Sequence, residues 1–468
     1  MANSAGQLSN DALRRSIYFL LAAITLGASL GQILAVNSVD RIALDAQRQR
    51  DKPGAVTIQR PFLSANDRSR WCTVRSLVEK GTYVIDEITA EPGWDTIDMV
   101  KHDGHLYSSK PTLMATLMAG EYWVIHRLTG ATLGTHPYEI GRFMLATINL
   151  PALAIYLLAV GRLIERYGQT DWGRIFVFAS AAFATFLSAF DITINNHLIA
   201  AASAAVTIDA VVRIVWEGER RVGWFIIAGF AAAFTAANEL PALSLTVPAL
   251  GAILLRAPRA TLIAALPAAL LVLAASMGTN RLAHGTWSPP YAHRHGPDNW
   301  YEYTYERDGK VRESYWTNPT GVDRGEPSIP RYAAQVLIGH HGIYSLTPIW
   351  LLTLFGWGLA IQRREWPLWP LTAVVAAISI VCITFYIQQP LQERNFGGLT
   401  SGFRWVFWLA PLWLVTMLPA ADVVARYRTA RAFSLLLLAL SVMSVSYPTW
   451  NPWTHPWMMR FFEHLGWA

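Results

Sequence analysis

Lysine and cysteine are scarce in this chain of 468 residues, and charge of either sign is thin. Only 15% of the residues are charged while 53% are hydrophobic, a balance that excludes an ordinary soluble protein of this length and marks a polytopic membrane protein. The two cysteines, Cys72 in a polar segment and Cys382 in an apolar run, argue against a disulfide framework or a cysteine metal site. There is no GxSxG elbow, no P-loop and no dinucleotide fingerprint, so chemistry that draws on cytosolic nucleotides has no support and no nucleotide cofactor is expected. Internal repeats and low-complexity tracts are also missing. The net charge of +6 is an arginine effect, because the lysines are only Lys52, Lys80, Lys101, Lys110 and Lys310. The arginines sit in short clusters between apolar runs, which speaks for membrane orientation and against a nucleic-acid partner.

What the chain does have is apolar runs of spanning length. Eleven occur, near 16–36, 140–162, 174–190, 197–216, 222–238, 241–255, 260–277, 343–361, 367–388, 404–421 and 430–447. The first, preceded by Arg14 and Arg15 and followed by no clear small-x-small cleavage site, reads as a retained anchor with a cytoplasmic N-terminus. A twelfth stretch, 112–128, is shorter. Seventeen residues reach only about 25 Å against a hydrocarbon core of about 30 Å, and Glu121 would stand near its centre. Loop charge decides the matter. With eleven spans the inner side collects Arg14, Arg15, Arg162, Arg166, Arg174, Arg220, Arg221, Arg256, Arg259, Arg363, Arg364, Arg426, Arg428 and Arg431; twelve would put most of these outside. The 112–128 stretch is therefore expected to lie on the outer surface as an interfacial helix. The chain then divides into 1–36 (cytoplasmic segment and first span), 37–138 (large first outer loop), 139–277 (spans two to seven), 278–342 (second outer loop), 343–447 (spans eight to eleven) and 448–468 (outer tail).

Ionisable residues gather at the outer boundary. Asp67 stands just ahead of a helix whose apolar face is Trp71, Val74, Leu77 and Val78. It reads either as the cap of that helix or as a general base at the membrane surface. Lys110, one residue before Pro111, either anchors the interfacial helix to anionic lipid or binds a phosphate. Asp191, with Asn195, Asn196 and His197 behind it, either caps the next helix or lines a site. The last short outer loop carries Glu393, Arg394, Gly397, Gly398, Gly402 and Arg404; the glycines admit close backbone approach and an arginine grips phosphate bidentately, or the loop is a flexible turn with a snorkelling arginine. His284, His293, His295, His340 and His341 enrich the second outer loop without the spacing of a metal helix, so no metal ligand is assigned.

In this order, the fragments resemble the GT-C superfamily of integral-membrane glycosyltransferases, and in particular bacterial members related to aminoarabinose transferases and protein mannosyltransferases. "NDRSRW" with Asp67 looks like the acidic position of that family's first outer loop. "YSSKPTL" is similar to its KPPL element, with Thr112 for the second proline; "YEIGRFMLATINLPAL" supplies the arginine, Arg142, that opens the second span. Asp191 is the candidate for the second acidic position, and "GGLTSGFR" resembles a late GGxxxGPR loop with Phe403 for proline. The likeness is least in 278–342, the loop expected to set acceptor specificity.

The resemblance implies a GT-C-like all-α membrane fold and an inverting transfer of a hexosyl or pentosyl group from a polyprenyl-phosphate donor to a lipid, glycan or protein acceptor of the cell envelope. It implies Asp67 and Asp191 as catalytic groups, Lys110, Arg404 and Arg394 on the donor phosphate, and Tyr107, His105, Arg142 and Glu393 lining the substrates. The site would face the periplasm, in an inner membrane whose lipids surround the protein. A divalent metal is left open, since no ligand set is visible. Two other classes compete: a lipid or sugar transporter, which would place ionisable residues near the midplane in repeated halves, and an inactive accessory subunit of the same fold.

Overall fold

Every one of the eleven apolar runs carries a helix in the computed structural model, which describes residues 2–37, 49–50, 53–54, 58–307, 309–448 and 450–467, with side chains from Asp11 onward. Among the described residues eight helices are long and apolar enough to cross a membrane: Asp11–Leu34, Pro137–Tyr167, Asp171–Phe190, Asn196–Val215, Pro258–His284, Trp369–Ile387, Arg404–Val424 and Arg428–Ser446. The remaining three runs give shorter helices, Val222–Asn238, Leu240–Arg256 and the 14-residue Trp350–Arg363. Thr112–Thr129 is helical but not among the eight. Part of the polar segment 37–138, within 38–57, lies outside the described residues.

The elements that build the site are α1 (Ala2–Leu34), α2 (Ala65–Glu79), strands β1 (Met99–His102) and β2 (His105–Ser108), α3 (Thr112–Thr129), α4 (Pro137–Tyr167), α5 (Asp171–Phe183), α6 (Asn196–Val215), α7 (Val222–Asn238), α8 (Leu243–Arg256) and α9 (Leu266–His284). After the β3–β4 hairpin (Thr304–Arg307, Lys310–Glu313) come α10 (Ile329–Leu337), α11 (Trp350–Arg363), α12 (Trp369–Ile387), α13 (Ala410–Val424), α14 (Arg428–Ser446) and α15 (Trp457–His464). The two-stranded hairpins are an addition to the all-α expectation. The first follows from "HDGH": Asp103 and Gly104 both take positive φ, 48° and 84°, the requirement of a two-residue type I′ turn.

Helices α6 and α13 form the centre of the bundle, packed by α4, α5, α7 and α11, and nearly every side chain of α13 is buried. Two glycines allow the closest approaches. A Cβ on Gly229 of α7 would stand 1.9 Å from the Ala265 carbonyl ahead of α9, and one on Gly356 of α11 would stand 2.5 Å from the Thr416 carbonyl of α13. The peripheral helices turn leucines and phenylalanines outward, as a lipid-facing surface does: Phe19 and Leu20 on α1, Leu270 and Leu271 on α9, Leu435 and Leu436 on α14. At the end of the bundle away from the hairpins, buried Arg14 pairs with Glu165 and Asp171, and Arg162 with Asp209 and Glu217.

Helix α3 is apolar on two faces. Met114, Ala115, Met118, Ala119 and Tyr122, at helical spacing, pack on Trp71 and Val74 of α2. Leu117, Trp123, Val124 and Leu128 point outward and are exposed. Gly130 ends the helix in the left-handed region at φ 71°. Tyr122 then clips the turn to α2, donating to Glu79 at 2.6 Å and accepting from the Leu133 N–H at 2.7 Å. Glu121 accepts a hydrogen bond from Thr147 of α4.

Candidate active site

A cavity of about 520 Å³ opens where α2, the first hairpin, the starts of α6 and α13 and the segment after α9 converge. Lys110 reaches it because β2 ends at Ser108 and α3 begins after Pro111, leaving the lysine on the corner between them. Its Nζ lies 2.7 Å from Asp98 Oδ1, also on the cavity wall. Burial pulls the Lys110 ammonium down to about 8 against the attraction of Asp98. Burial, the largest single influence, would lift the Asp98 carboxyl, but Lys110 together with Arg404 and Arg70 outweighs it and holds the group below the ordinary carboxylate range.

Arg70 comes from the first turns of α2. It donates to the Asn66 side chain at 2.7 Å and to Asn196 Oδ1 on α6 at 2.8 Å, which fixes α2 against the bundle. Arg404 enters from the opposite wall. Its Nε donates to the Gly397 carbonyl at 2.7 Å and its Nη1 to His197 Nε2 at 2.9 Å, while the guanidinium lies 5.1 Å from the centre of the Trp453 ring. Arginine can only donate, so His197 Nε2 is an acceptor and the ring proton belongs on Nδ1, 2.5 Å from Glu239 Oε1. Lys110, Arg70 and Arg404 thus converge on one space, although Lys110 and Arg404 are far apart in the chain.

The candidates of the sequence reading are divided by this geometry. Lys110, Arg404 and Glu393 line the cavity. Asp67 does not; it stands one layer behind, between the wall residues Asn66 and Arg70, and its Oδ1 accepts from Trp71 Nε1 at 3.0 Å and from the Ile194 N–H at 3.1 Å. Nor is Asp67 a cap. Ser64 is the N-cap of α2, accepting the Asp67 N–H at 3.0 Å. Burial raises the Asp67 carboxyl to about 7 in spite of these bonds and of Arg70.

Asp191 is also outside the cavity, in the loop that Ile194 ties to Asp67. Its buried carboxylate has Ser29 of α1 nearby, meets no donor in hydrogen-bonding geometry among the described residues, and is raised by burial to about 7. The cap of α6 is Asn195. Arg394 turns away from the cavity and donates to the carbonyls of Glu326, Pro327 and Gln389 at 2.7, 3.0 and 3.1 Å, strapping the loop between α12 and α13 to the segment before α10. Tyr107 borders a small void behind the wall that it shares with Arg70 and Lys110. His105 lies at the hairpin turn, 3.3 Å from Asp86. Arg142 donates to the Val36 carbonyl and to Asn37 at the mouth of α1, apart from the cavity.

The segment after α9 closes the far wall with Tyr291, Arg294, Tyr301, Trp316 and Asp323. Arg294 pairs with Glu393 at 2.8 Å and lies over the rings of Tyr301 and Trp316, 5.0 and 4.6 Å from their centres. The segment is fastened to the first hairpin by Lys101, which donates to the Thr304 carbonyl at 2.9 Å, and by Trp300, stacked between His102 and His293. The histidines of this region serve packing, and no group of three His, Cys, Asp or Glu side chains among the described residues is arranged to hold a metal ion. The tail returns as well, placing Asn451 and Trp453 on the cavity.

Arg70, Asp98, Glu239, Arg294 and Asp323 escaped the sequence reading. Arg70 had a signal, lying one helical turn from Asp67 on the same face. Glu239, a lone acid between two apolar runs, had a weaker one. Beside the cavity, α3, α4, α6 and α7 leave an apolar groove of about 420 Å³ walled by residues such as Met114, Ile148, Ile199 and Phe234. Ile199 and Phe234 lie one helical turn from the cavity residues Asn196 and Asn238.

These features define a polytopic membrane protein with a charged cavity at one end of the bundle and an apolar groove beside it. No family model matches the chain, and no curated protein matches it. Among solved structures it is similar to ArnT from Cupriavidus metallidurans in the apo state, with TM-score 0.44 and 12% identity over 93% of this chain and 63% of that one. The same protein bound to undecaprenyl phosphate gives TM-score 0.46 and 13% identity, over 89% of this chain and 62% of that one. The archaeal oligosaccharyltransferase AglB from Archaeoglobus fulgidus, in complex with an inhibitory peptide and a dolichol-phosphate, gives 0.47 and 12%, over 96% and 57%. The chain spans less than two thirds of the length of each. What the cavity does follows from its own residues.

Proposed function

We propose that this chain transfers a sugar from a polyprenyl-phosphate donor to an acceptor at the outer face of the membrane. The observation that carries the reading is the convergence of Lys110, Arg70 and Arg404 on one cavity beside an apolar groove. A phosphate with an isoprenoid tail needs both: cations at headgroup depth for the leaving group, and an apolar channel for the chain. The outward apolar face of α3, with Trp123 and Leu128 exposed, suits a helix resting on the bilayer, which would hold Lys110 at that depth.

In this reading the phosphate lies between Lys110, Arg70 and Arg404, and the negative charge that develops on it as the glycosidic bond breaks is stabilised there. Asp67 is the proposed general base. Its carboxyl, raised to about 7, is matched to accepting a proton from an acceptor hydroxyl near neutral pH. The acceptor would have to enter between Asn66 and Arg70 to meet it. A second reading has its own support, because Asp98 already faces the cavity and would be freed as Lys110 turns to the phosphate. Comparison of Asp67→Asn with Asp98→Asn separates the two.

The direct test is to profile lipid-linked sugars in cells with and without the gene, and to assay the purified protein in nanodiscs for release of polyprenyl phosphate. Accumulation of one polyprenyl-phosphate sugar without the gene, and its consumption by the purified protein, is the expected result. An unchanged profile together with no release would end the proposal and favour a transporter or an accessory subunit.

A further inference from the structure

The geometry points to a site for the donor's sugar ring: we propose that Asp323, Asn395 and Arg294, backed by Trp316 and Tyr301, bind an uncharged pyranose and select it by its hydroxyl groups. This rests on the phosphate reading above and extends it to the class of sugar.

The placement comes from the Gly397–Gly398 pair. Both glycines have positive φ, 93° and 81°. A Cβ on Gly397 would stand 2.9 Å from Arg404 Nε, and one on Gly398 would stand 3.4 Å from Asp323 Oδ1. Consecutive Cα atoms are about 3.8 Å apart, so this dipeptide has the phosphate-side guanidinium against one residue and the Asp323 carboxylate against the next. A sugar joined through its anomeric oxygen to a phosphate on Arg404 therefore extends towards Asp323.

The chemistry of that wall suits a polyol. Asp323 already accepts from Tyr315 at 2.9 Å and from Asn395 at 3.2 Å, which fixes the carboxylate while each oxygen keeps a further lone pair for a hydroxyl. The Trp316 indole N–H is buried and has no hydrogen-bond partner among the described residues. Arg294 offers a planar fork, held in place by its two aromatic contacts and by Glu393. The charges on this wall are Arg294 against Asp323 and Glu393, so a carboxylate on the sugar is repelled and an uncharged ring fits without rearranging the ion pair. Apart from Glu393 and Asn395, the wall belongs to 278–342, the segment where the likeness in sequence is least.

The test is binding to the full chain in nanodiscs, by tryptophan fluorescence, of three probes: a polyprenyl phosphate, the same lipid phosphate carrying a neutral hexose, and one carrying a uronic acid. For the wild type, the hexose-bearing lipid is expected to bind at least about tenfold more tightly than the bare phosphate, in line with one or two charge-assisted hydrogen bonds, and the uronic acid to show no such gain. Asp323→Asn and Arg294→Gln are each expected to erase the gain while leaving affinity for the bare phosphate unchanged. A gain that survives both substitutions, or no gain in the wild type, overturns the sugar site and leaves the phosphate site standing. Failure of the wild type to bind any of the three overturns the donor reading and the sugar site with it. Should Asp323→Asn not fold, judged by its thermal midpoint, Arg294→Gln alone decides.

Discussion

Substitution of Asp67 by Asn separates a functional carboxylate from a structural one, because the two roles predict opposite signs for stability and activity. In the wild type the carboxyl is fully buried and raised from 3.8 to about 7. A group whose folded pKa is raised makes the folded state less stable as pH climbs past its unfolded value, and the cost is fully present above the folded one. Moving a carboxyl from 3.8 to about 7 corresponds to about 4 kcal/mol at pH 8. An amide carries no charge, and its oxygen keeps the bonds from Trp71 and Ile194, which both end on Oδ1. Its NH₂ would face the Leu63 N–H that the carboxylate now accepts, returning about 1–2 kcal/mol. The net expectation is stabilisation of about 2–3 kcal/mol at pH 8, read as a thermal midpoint a few degrees higher in nanodiscs, vanishing near about pH 5 and turning into a loss of about 1 kcal/mol near pH 4, where only the missing Leu63 bond remains. Turnover, by contrast, should fall at least about 100-fold if Asp67 removes the acceptor proton. A variant with near-normal turnover refutes the base role, and a midpoint that drops at pH 8 refutes the buried-charge reasoning.

Lys110→Met is expected to weaken donor binding about tenfold or more, since a charge-assisted contact to phosphate is worth about 1.5–3 kcal/mol. It also strands Asp98, so the double variant with Asp98→Asn should recover the thermal midpoint without recovering affinity. Because the Lys110 ammonium sits near 8, affinity for a phosphodiester donor should decline as pH rises through that value in the wild type and hold in Lys110→Arg; isothermal titration at pH 7 and 9 reads the difference. Arg404→Lys keeps the charge but loses either the Gly397 or the His197 bond, and donor KM is expected to rise. Arg394→Gln, which removes the strap to Glu326 and Pro327, should lower the midpoint and speed proteolysis between 320 and 328 with little change in affinity for bare lipid phosphate.

The helices of the bundle were legible because an apolar helix announces itself locally, in one uninterrupted run, and every run did become a helix, eight of them among the described residues long and apolar enough to cross a membrane. Lys110 and Arg404 were legible for a related reason: each stands where an apolar run begins, and Glu393 shares the short loop ahead of the run that Arg404 opens. The rest of the cavity was not, because its members are defined by partners far away in the chain. Arg294 is informative only beside Glu393, Glu239 only beside His197, and Asp98 only beside Lys110. Asp67 was read as a cap or a base because its neighbourhood offered both. The deciding residue was Ser64, three positions earlier, whose spacing to Asp67 is that of a side chain capping the third helical N–H. The first hairpin was half visible, its turn marked by Asp103 and Gly104 but its strands too short to show alternation.

Charge balance ties these residues into one device. The cavity wall carries Lys110, Arg70, Arg294 and Arg404 against Asp98, Glu239, Asp323 and Glu393, so its cations are matched by acids before any substrate arrives. A phosphodiester bound to Lys110, Arg70 and Arg404 adds one negative charge to a balanced, desolvated set. Those cations must then be shared, and the acids beside them lose stabilisation: Asp98 in contact with Lys110 and Asp67 next to Arg70. Each gains proton affinity as a result. On the proposed function, donor binding therefore strengthens the base that the transfer requires, and departure of the phosphate weakens it again. A carboxyl already resting near 7, such as Asp67, needs the smallest further shift to hold the proton it receives at neutral pH, whereas Asp98 starts from below the ordinary range and needs the largest. That difference, set against the nearer position of Asp98 on the cavity wall, is why the base proposed is Asp67.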